Sequence, residues 1–425
     1  MMQENIKALL QDIPLPLMAH YRQHFGGEAL SDPAAALRQK LAPHAPLFSK
    51  GMRVAITAGS RGIAHIPQLL REVAEFLKSC GAEPFIFPAM GSHGGSTAEG
   101  QMEILRGYGI TEESCGCPIV SSMDTVQVGT YGDGHPVFID KQAAQADAVI
   151  VMNRIKPHTG FTSPYGSGLA KMISIGMGKQ KGADSMHNAG FGVFPERVPG
   201  FAKVILDNTN IKLGIAIIEN AYDETCRLEV LPANEILEKE PELLQYAKNL
   251  MARILIPKTD VLVVQTIGKN FAGTGMDANI TGTFATPYAK GGIEKQRIAV
   301  LDLSPQSEGN AFGVGLAQFT TKRLLDKIDF STMYPNPLTS TVLPPCFVPM
   351  VLASDQLAIQ AAIKTCNGVD RDRIRLVYIK NTNEMADIWL SEALWGEAAQ
   401  TEGLEFVAET PFTFDSEGNL TWIKD

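Results

Sequence analysis

From residue 52 onward, apolar runs of strand length alternate with stretches of helical periodicity. Residues 52–57 and 84–88 read as strands, and residues 66–80 between them place apolar side chains at helical spacing. This alternation is the pattern of a strand-helix-strand unit. Residues 148–152 (AVIVM) form a continuous β-branched run opening into polar, glycine-rich sequence, as expected of a buried strand whose C-terminal end meets a site. Further strands are predicted at 213–218, 261–266, 298–303 and 374–380, with helices over 235–253 and 356–365. The charged helix at 235–253 ends before Ile256-Pro257, where strand pattern resumes. The expected fold is therefore α/β: an N-terminal domain over 1–255, a C-terminal α/β domain over 256–425 that closes a cleft, and an active site in that cleft. The first forty or so residues, with His20, His24 and His44, read as helical decoration, and the aromatic-polar stretch 410–425 as a docked tail.

Composition narrows the partners. A chain of 425 residues, 45% hydrophobic and 20% charged, is too long for one small module and too apolar for wholesale disorder. Its net charge of −9 (37 − 46) lacks the basic footprint of a nucleic-acid binder. The six cysteines form no CxxC framework, and Cys115 and Cys117 are too close for an ordinary disulfide, so a reducing cytoplasm is expected. The N-terminal sequence has no signal-peptide pattern, and no apolar run approaches the ~20 residues of a spanning helix, so a soluble protein without membrane partners is predicted.

Three histidines lie in glycine-rich sequence near predicted strand ends: His93 in GSHGG, His158 in KPHTG and His187 in DSMH. Such loops position catalysts in α/β folds, although a single histidine there is more often a turn or surface residue. Between the last two lies a glycine-rich stretch with Lys171, Lys179 and Lys181. It is no Walker loop, because Gln180 follows Lys179 and Ile173 replaces the first glycine. Backbone N–H groups and ammonium charge could still hold a phosphate or carboxylate there; solvated loop lysines are the commoner case.

Together, Arg61 after Ala58-Gly59-Ser60, His93, His158, Lys171 and His187 resemble the nickel-pincer-nucleotide lactate racemase family. The likeness spans most of the chain and is strongest over 152–187, where the order His158, Lys171, His187 and the lysine-to-histidine spacing of sixteen (187 − 171) follow the family. The resemblance implies a 2-hydroxyacid racemase or epimerase, an isomerase. It implies a pyridinium mononucleotide with two sulfur arms and an organometallic nickel, made by separate cofactor-synthesis enzymes and attached through Lys171. It further implies that His187 is the nickel ligand and that His93 and His158 flank the substrate as acid and base.

The residue types suit that chemistry. The C2 proton of a 2-hydroxy acid is too weakly acidic for a side chain to remove, whereas departure as hydride into a cationic ring leaves a planar keto acid. Two histidines then exchange the hydroxyl proton near neutral pH. Arg61 suits either the substrate carboxylate or the nucleotide phosphate. Lactate racemase itself carries an aspartate three residues before this arginine and a proline after it, where this chain has Ala58 and Gly62. The loop from His158 to Lys171 is also longer than the family's compact version, so an acid other than lactate is expected, with Ser163 and Tyr165 either contacting it or serving as turn residues. In the second half, 273–279 and 308–315 read as loops, and Gln318 and Lys322 are weak candidates. Two alternatives remain at this stage: a zinc hydrolase in which His93, His158 and His187 bind metal and Asp184 assists, or a non-catalytic binder of small acids.

Overall fold

A computed structural model describes residues 2–422. Contacts divide the chain into Gly26–Met251 and a second unit that joins the residues up to Phe25 with those from Ala252 onward. Both are α/β.

The first unit is built on a five-stranded sheet in the spatial order Glu83–Pro88, Arg53–Ala58, Ala148–Arg154, Ile211–Glu219 and Thr225–Pro232. The first four strands run parallel and the last is antiparallel. Both faces are covered, which explains why Ala148–Arg154 starts with five consecutive buried residues. On one face Val54, Ile56 and Ile150 pack with the helix Ile66–Ser79, which buries Leu69, Leu70, Val73 and Leu77 on one stripe. On the other, Ala55, Phe85, Phe87, Val149 and Val151 meet Phe194–Asn208 and Ile236–Leu250. Because neighbouring strands are parallel, their C-terminal ends share one edge, where the segments carrying Arg61, His93 and His158 emerge.

The second unit holds an eight-stranded mixed sheet. Met350–Leu352, Phe319–Thr321, Arg297–Leu303, Val261–Ile267 and Leu376–Ile379 run parallel, followed by Asp387–Ser391, Met18–Gln23 and Leu404–Glu409 in antiparallel pairing. Here the expectation for the first forty residues is corrected in part: Met2–Leu10 and Pro33–Leu41 are helices, but Met18–Gln23 is an inner strand of this sheet. Its core positions Met18, Ala19, Tyr21 and Gln23 are interrupted by His20 and Arg22, so no apolar run betrays it. His20 stacks on Trp389 at 5.0 Å and bonds Asp387 at 2.7 Å. The two glycine-rich loops of this unit pack on each other: at Gly313, with φ +122°, a Cβ would lie 1.7 Å from the Thr274 carbonyl. No helix among the described residues is long and apolar enough to cross a membrane.

The tail is docked as expected. Trp422 lies 5.3 Å from Tyr378, 5.6 Å from Trp389 and 5.0 Å from Phe412 between ring centroids. Replacing a half-buried indole in such a cluster costs about 2 kcal/mol. Trp422→Ala should therefore lower the urea midpoint of this unit and weaken the near-ultraviolet aromatic signal; an unchanged midpoint would show that the tail adds no stability.

Candidate functional site

The three segments at the sheet edge are locally constrained. Strand Arg53–Ala58 leads into Gly59-Ser60-Arg61, and the following Ala64 N–H donates to Glu219 at 2.6 Å. Glu219 is buried and ion-paired with Arg154, so its charge is already compensated. Strand Glu83–Pro88 leads to His93, whose Nδ1 lies 2.6 Å from the Met90 carbonyl. A carbonyl only accepts, so Nδ1 carries the proton and Nε2 keeps a lone pair, 3.5 Å from an Arg61 amino group. Strand Ala148–Arg154 leads to His158, which shows the opposite tautomer: its Nδ1 accepts the Gly160 N–H at 2.9 Å, leaving the proton on Nε2.

Lys171 ends the short helix Leu169–Lys171, which continues through a π-helical turn at Met172–Gly176. Such turns are uncommon and are frequent at functional sites. The helix start has no cap of its own. Instead Glu240, from Ile236–Leu250, accepts the Ala170 N–H at 2.7 Å, and Asn153 donates to the Gly168 carbonyl at 2.9 Å. Position 168 requires glycine, since a Cβ would meet Glu240 Oε1 at 2.1 Å. Burial pushes the Glu240 carboxyl up to about 8. Neither Glu240 nor Asn153 was singled out from sequence, because their partners are backbone groups 70 and 15 residues away.

The electrostatics bring the candidates together. Burial, then the charges of Arg61 and Lys156, lower Lys171 to about 8. His158 is pulled well below its ordinary value by burial and by Lys171, with Lys156, His187 and Arg61 adding to it. His187 is lowered to about 4 by burial and by Lys171. Both histidines lie against an aromatic platform: His158 stacks on Phe161 at 4.5 Å, and His187 on Phe194 at 5.0 Å with its ring nearly parallel. Lys171 has no ion pair among the described residues, and the two imidazoles that feel its charge are held toward their neutral form, chiefly by burial.

Several sequence expectations are corrected here. No group of three His, Cys, Asp or Glu among the described residues is placed to hold a metal ion, so His93, His158 and His187 do not form a zinc set. Asp184 instead lines a separate hollow of about 530 Å³ with His135, Lys181 and Arg197. Lys179 is no phosphate-loop lysine: it is fully buried and ion-paired with Asp140. Lys181 lies over the Phe138 ring at 4.4 Å. Ser163 accepts the Tyr165 N–H, and Tyr165 donates its hydroxyl to the Leu237 carbonyl at 2.7 Å, so both brace the turn. In the other unit Gln318 accepts the Ile298 N–H at 2.8 Å, and Lys322 pairs with Asp326 on the surface.

These shifts are measurable. Competitive acylation followed by peptide mass spectrometry should give Lys171 a reactivity midpoint near pH 8; a midpoint at the ordinary 10.5 would contradict the pocket's electrostatics. For His187 the folded value of about 4 lies below the ordinary 6.5, so the unfolded chain takes up that proton first. Its contribution to stability is complete above pH 6.5 and is lost as pH falls toward 4. His187→Phe retains an aromatic ring for stacking but cannot titrate. Between pH 6.5 and 4 the variant should lose stability less steeply than the parent in urea titrations, and parallel curves would refute the assignment.

Residues 28–196 match a family model described as the lactate racemase N-terminal domain. No curated protein sequence matches the chain. Among solved structures it is similar to the lactate racemase apoprotein from Thermoanaerobacterium thermosaccharolyticum, with 14% identity and a TM-score of 0.47 over 90% of this chain and 91% of that one. Arg61, His93, His158, Lys171 and His187 all fall within the matched segment.

Proposed function

We propose that the chain is a racemase or epimerase that inverts C2 of a 2-hydroxy acid and uses a nickel-pincer pyridinium nucleotide. One observation carries this: Lys171 and His187 lie on one segment, Lys171 lowers both His187 and His158 and is itself lowered by Arg61, and Arg61 in turn lies 3.5 Å from His93. The residues fit the group. An anionic nucleotide would offset the charges of Arg61 and Lys171, an amine lowered to about 8 favours an amide-type linkage, and a neutral imidazole has a nitrogen lone pair for nickel. Lys171 would hold the nucleotide and His187 would complete the nickel coordination. When bound, such a group supplies reversible hydride acceptance at the substrate C2.

The chain's own residues manage the carboxylate and the hydroxyl proton. Arg61, beside His93, can fork onto the substrate carboxylate. His93 rests with Nε2 as an acceptor and takes the hydroxyl proton from one enantiomer. His158 rests with Nε2–H as a donor, and must give up the Gly160 N–H to serve as base for the other. Ala58 and Gly62 differ from the aspartate and proline of lactate racemase, so the proposed substrate is another 2-hydroxy acid.

The test uses protein loaded with cofactor and a panel of single-enantiomer 2-hydroxy acids, following inversion at C2. Lys171→Ala should remove the covalent adduct, and His187→Ala should lose nickel while remaining folded. His93→Ala and His158→Ala should keep nickel and each lower interconversion by about 100-fold, the usual scale of a lost general acid or base. Full activity in either histidine variant would reject its role, and an adduct mapped to Lys179 or Lys181 would reject Lys171. If no acid is inverted by the loaded parent protein, the proposed activity is wrong.

A further inference from the structure

A buried polar chain runs from the segment that carries Lys171 and His187 to the loop that carries His93. Lys179 lies eight residues after Lys171 (179 − 171) and begins the helix Lys179–His187. It has no solvent exposure and takes a left-handed φ of 52°. Its ammonium lies 3.2 Å from Asp140, donates to the Pro88 carbonyl, and donates to Gln101 Oε1 at 3.1 Å.

That last contact decides the orientation of Gln101. An ammonium can only donate, so the amide must turn its oxygen to Lys179 and its NH2 away. The NH2 lies 2.9 Å from the Gly91 carbonyl and 3.2 Å from the His93 carbonyl. Its two hydrogens thus meet two acceptors of one loop. Gln101 is itself fully buried on the helix Ala98–Gly107, whose start is capped by Thr97 accepting the Gly100 N–H. The same loop is tied to the π-helical turn by the Gly91 N–H, which donates to the Gly176 carbonyl at 3.0 Å. The carbonyls of residues 90, 91 and 93 are all engaged: the first by the His93 ring and its backbone N–H, the second by Gln101, and the third by Gln101 and the Ser96 N–H.

We infer that Gln101, its amide oriented by Lys179, is a positioning residue that sets the His93 tautomer and aligns His93 with the segment bearing Lys171 and His187. The catalytic meaning of this rests on the proton-acceptor role proposed above for His93; the positioning itself does not. Without the two donors the Gly91 carbonyl loses its side-chain partner and the His93 carbonyl keeps only the Ser96 N–H at 3.4 Å, so the loop that sets the His93 ring against the Met90 carbonyl is held less firmly.

The experiment uses Gln101→Leu and Gln101→Glu. The second keeps an acceptor for Lys179 while removing both donors, and so remains informative if the first does not fold. In protein without added cofactor, ¹⁵N spectra of the His93 ring should change from a single Nδ1–H form to a mixture. Amide exchange at Gly91 and His93 should rise at least ~10-fold, as local opening becomes easier, while the His158 ring signals stay in place. In loaded protein kcat should fall at least ~10-fold, with KM and the Lys171 adduct unchanged. An unaltered His93 ring and unaltered exchange in the glutamate variant would overturn the inference, as would a His158 change equal to that at His93. A parent protein that inverts no hydroxy acid but shows the His93 effect would sink the proposed function and leave the positioning intact.

Discussion

The ammonium of Lys179 and the carboxylate of Asp140 lie 3.2 Å apart with no solvent on either. Burial alone lowers the lysine and raises the aspartate, and each is held toward its charged form by the other. Such a pair adds little net stability, because desolvation offsets much of the attraction, yet losing one partner costs about 3–5 kcal/mol. Its value is positional. Asp140 ends the strand His135–Asp140 and caps the next turn through the N–H groups of Gln142 and Ala143. Lys179 adds the last carbonyl of Glu83–Pro88. One contact therefore registers a hairpin, the end of a sheet strand and the start of the helix that ends at His187.

Around this frame, two buried acidic side chains serve backbone N–H groups. Glu219 holds the Ala64 N–H and Arg154, and Glu240 holds the Ala170 N–H. Neither is left to neutralise Lys171. The two imidazoles nearby are held toward their neutral form first by burial and then by the charge of Lys171.

Much of this was legible in the chain itself. The strands 148–152, 261–266 and 298–303 announced themselves as β-branched runs because both faces of a parallel sheet are buried. His158, Lys171 and His187 could be recognised because their order and spacing lie along one short segment. What escaped depends on distant partners. Met18–Gln23 carries alternating polar residues and pairs with strands more than 360 residues away. Lys179 resembles its neighbours Lys171 and Lys181 in sequence, and only the tertiary contact with Asp140 makes it structural. Gln101 and Glu240 act on main-chain groups, which leave no sequence mark.

The inner strand Met18–Gln23 also has a consequence for synthesis. It leaves the ribosome more than 360 residues ahead of both of its neighbours, Asp387–Ser391 and Leu404–Glu409. The whole unit Gly26–Met251 can fold in the interval, since its sheet closes on local β-α-β connections. Meanwhile a short strand with Met18 and Tyr21 to bury remains unpaired. Domains generally fold as they emerge, and an unpaired edge is a point of wrong association. The polar His20, Arg22 and Gln23 that conceal the strand from a hydrophobicity scan also keep it soluble while it waits.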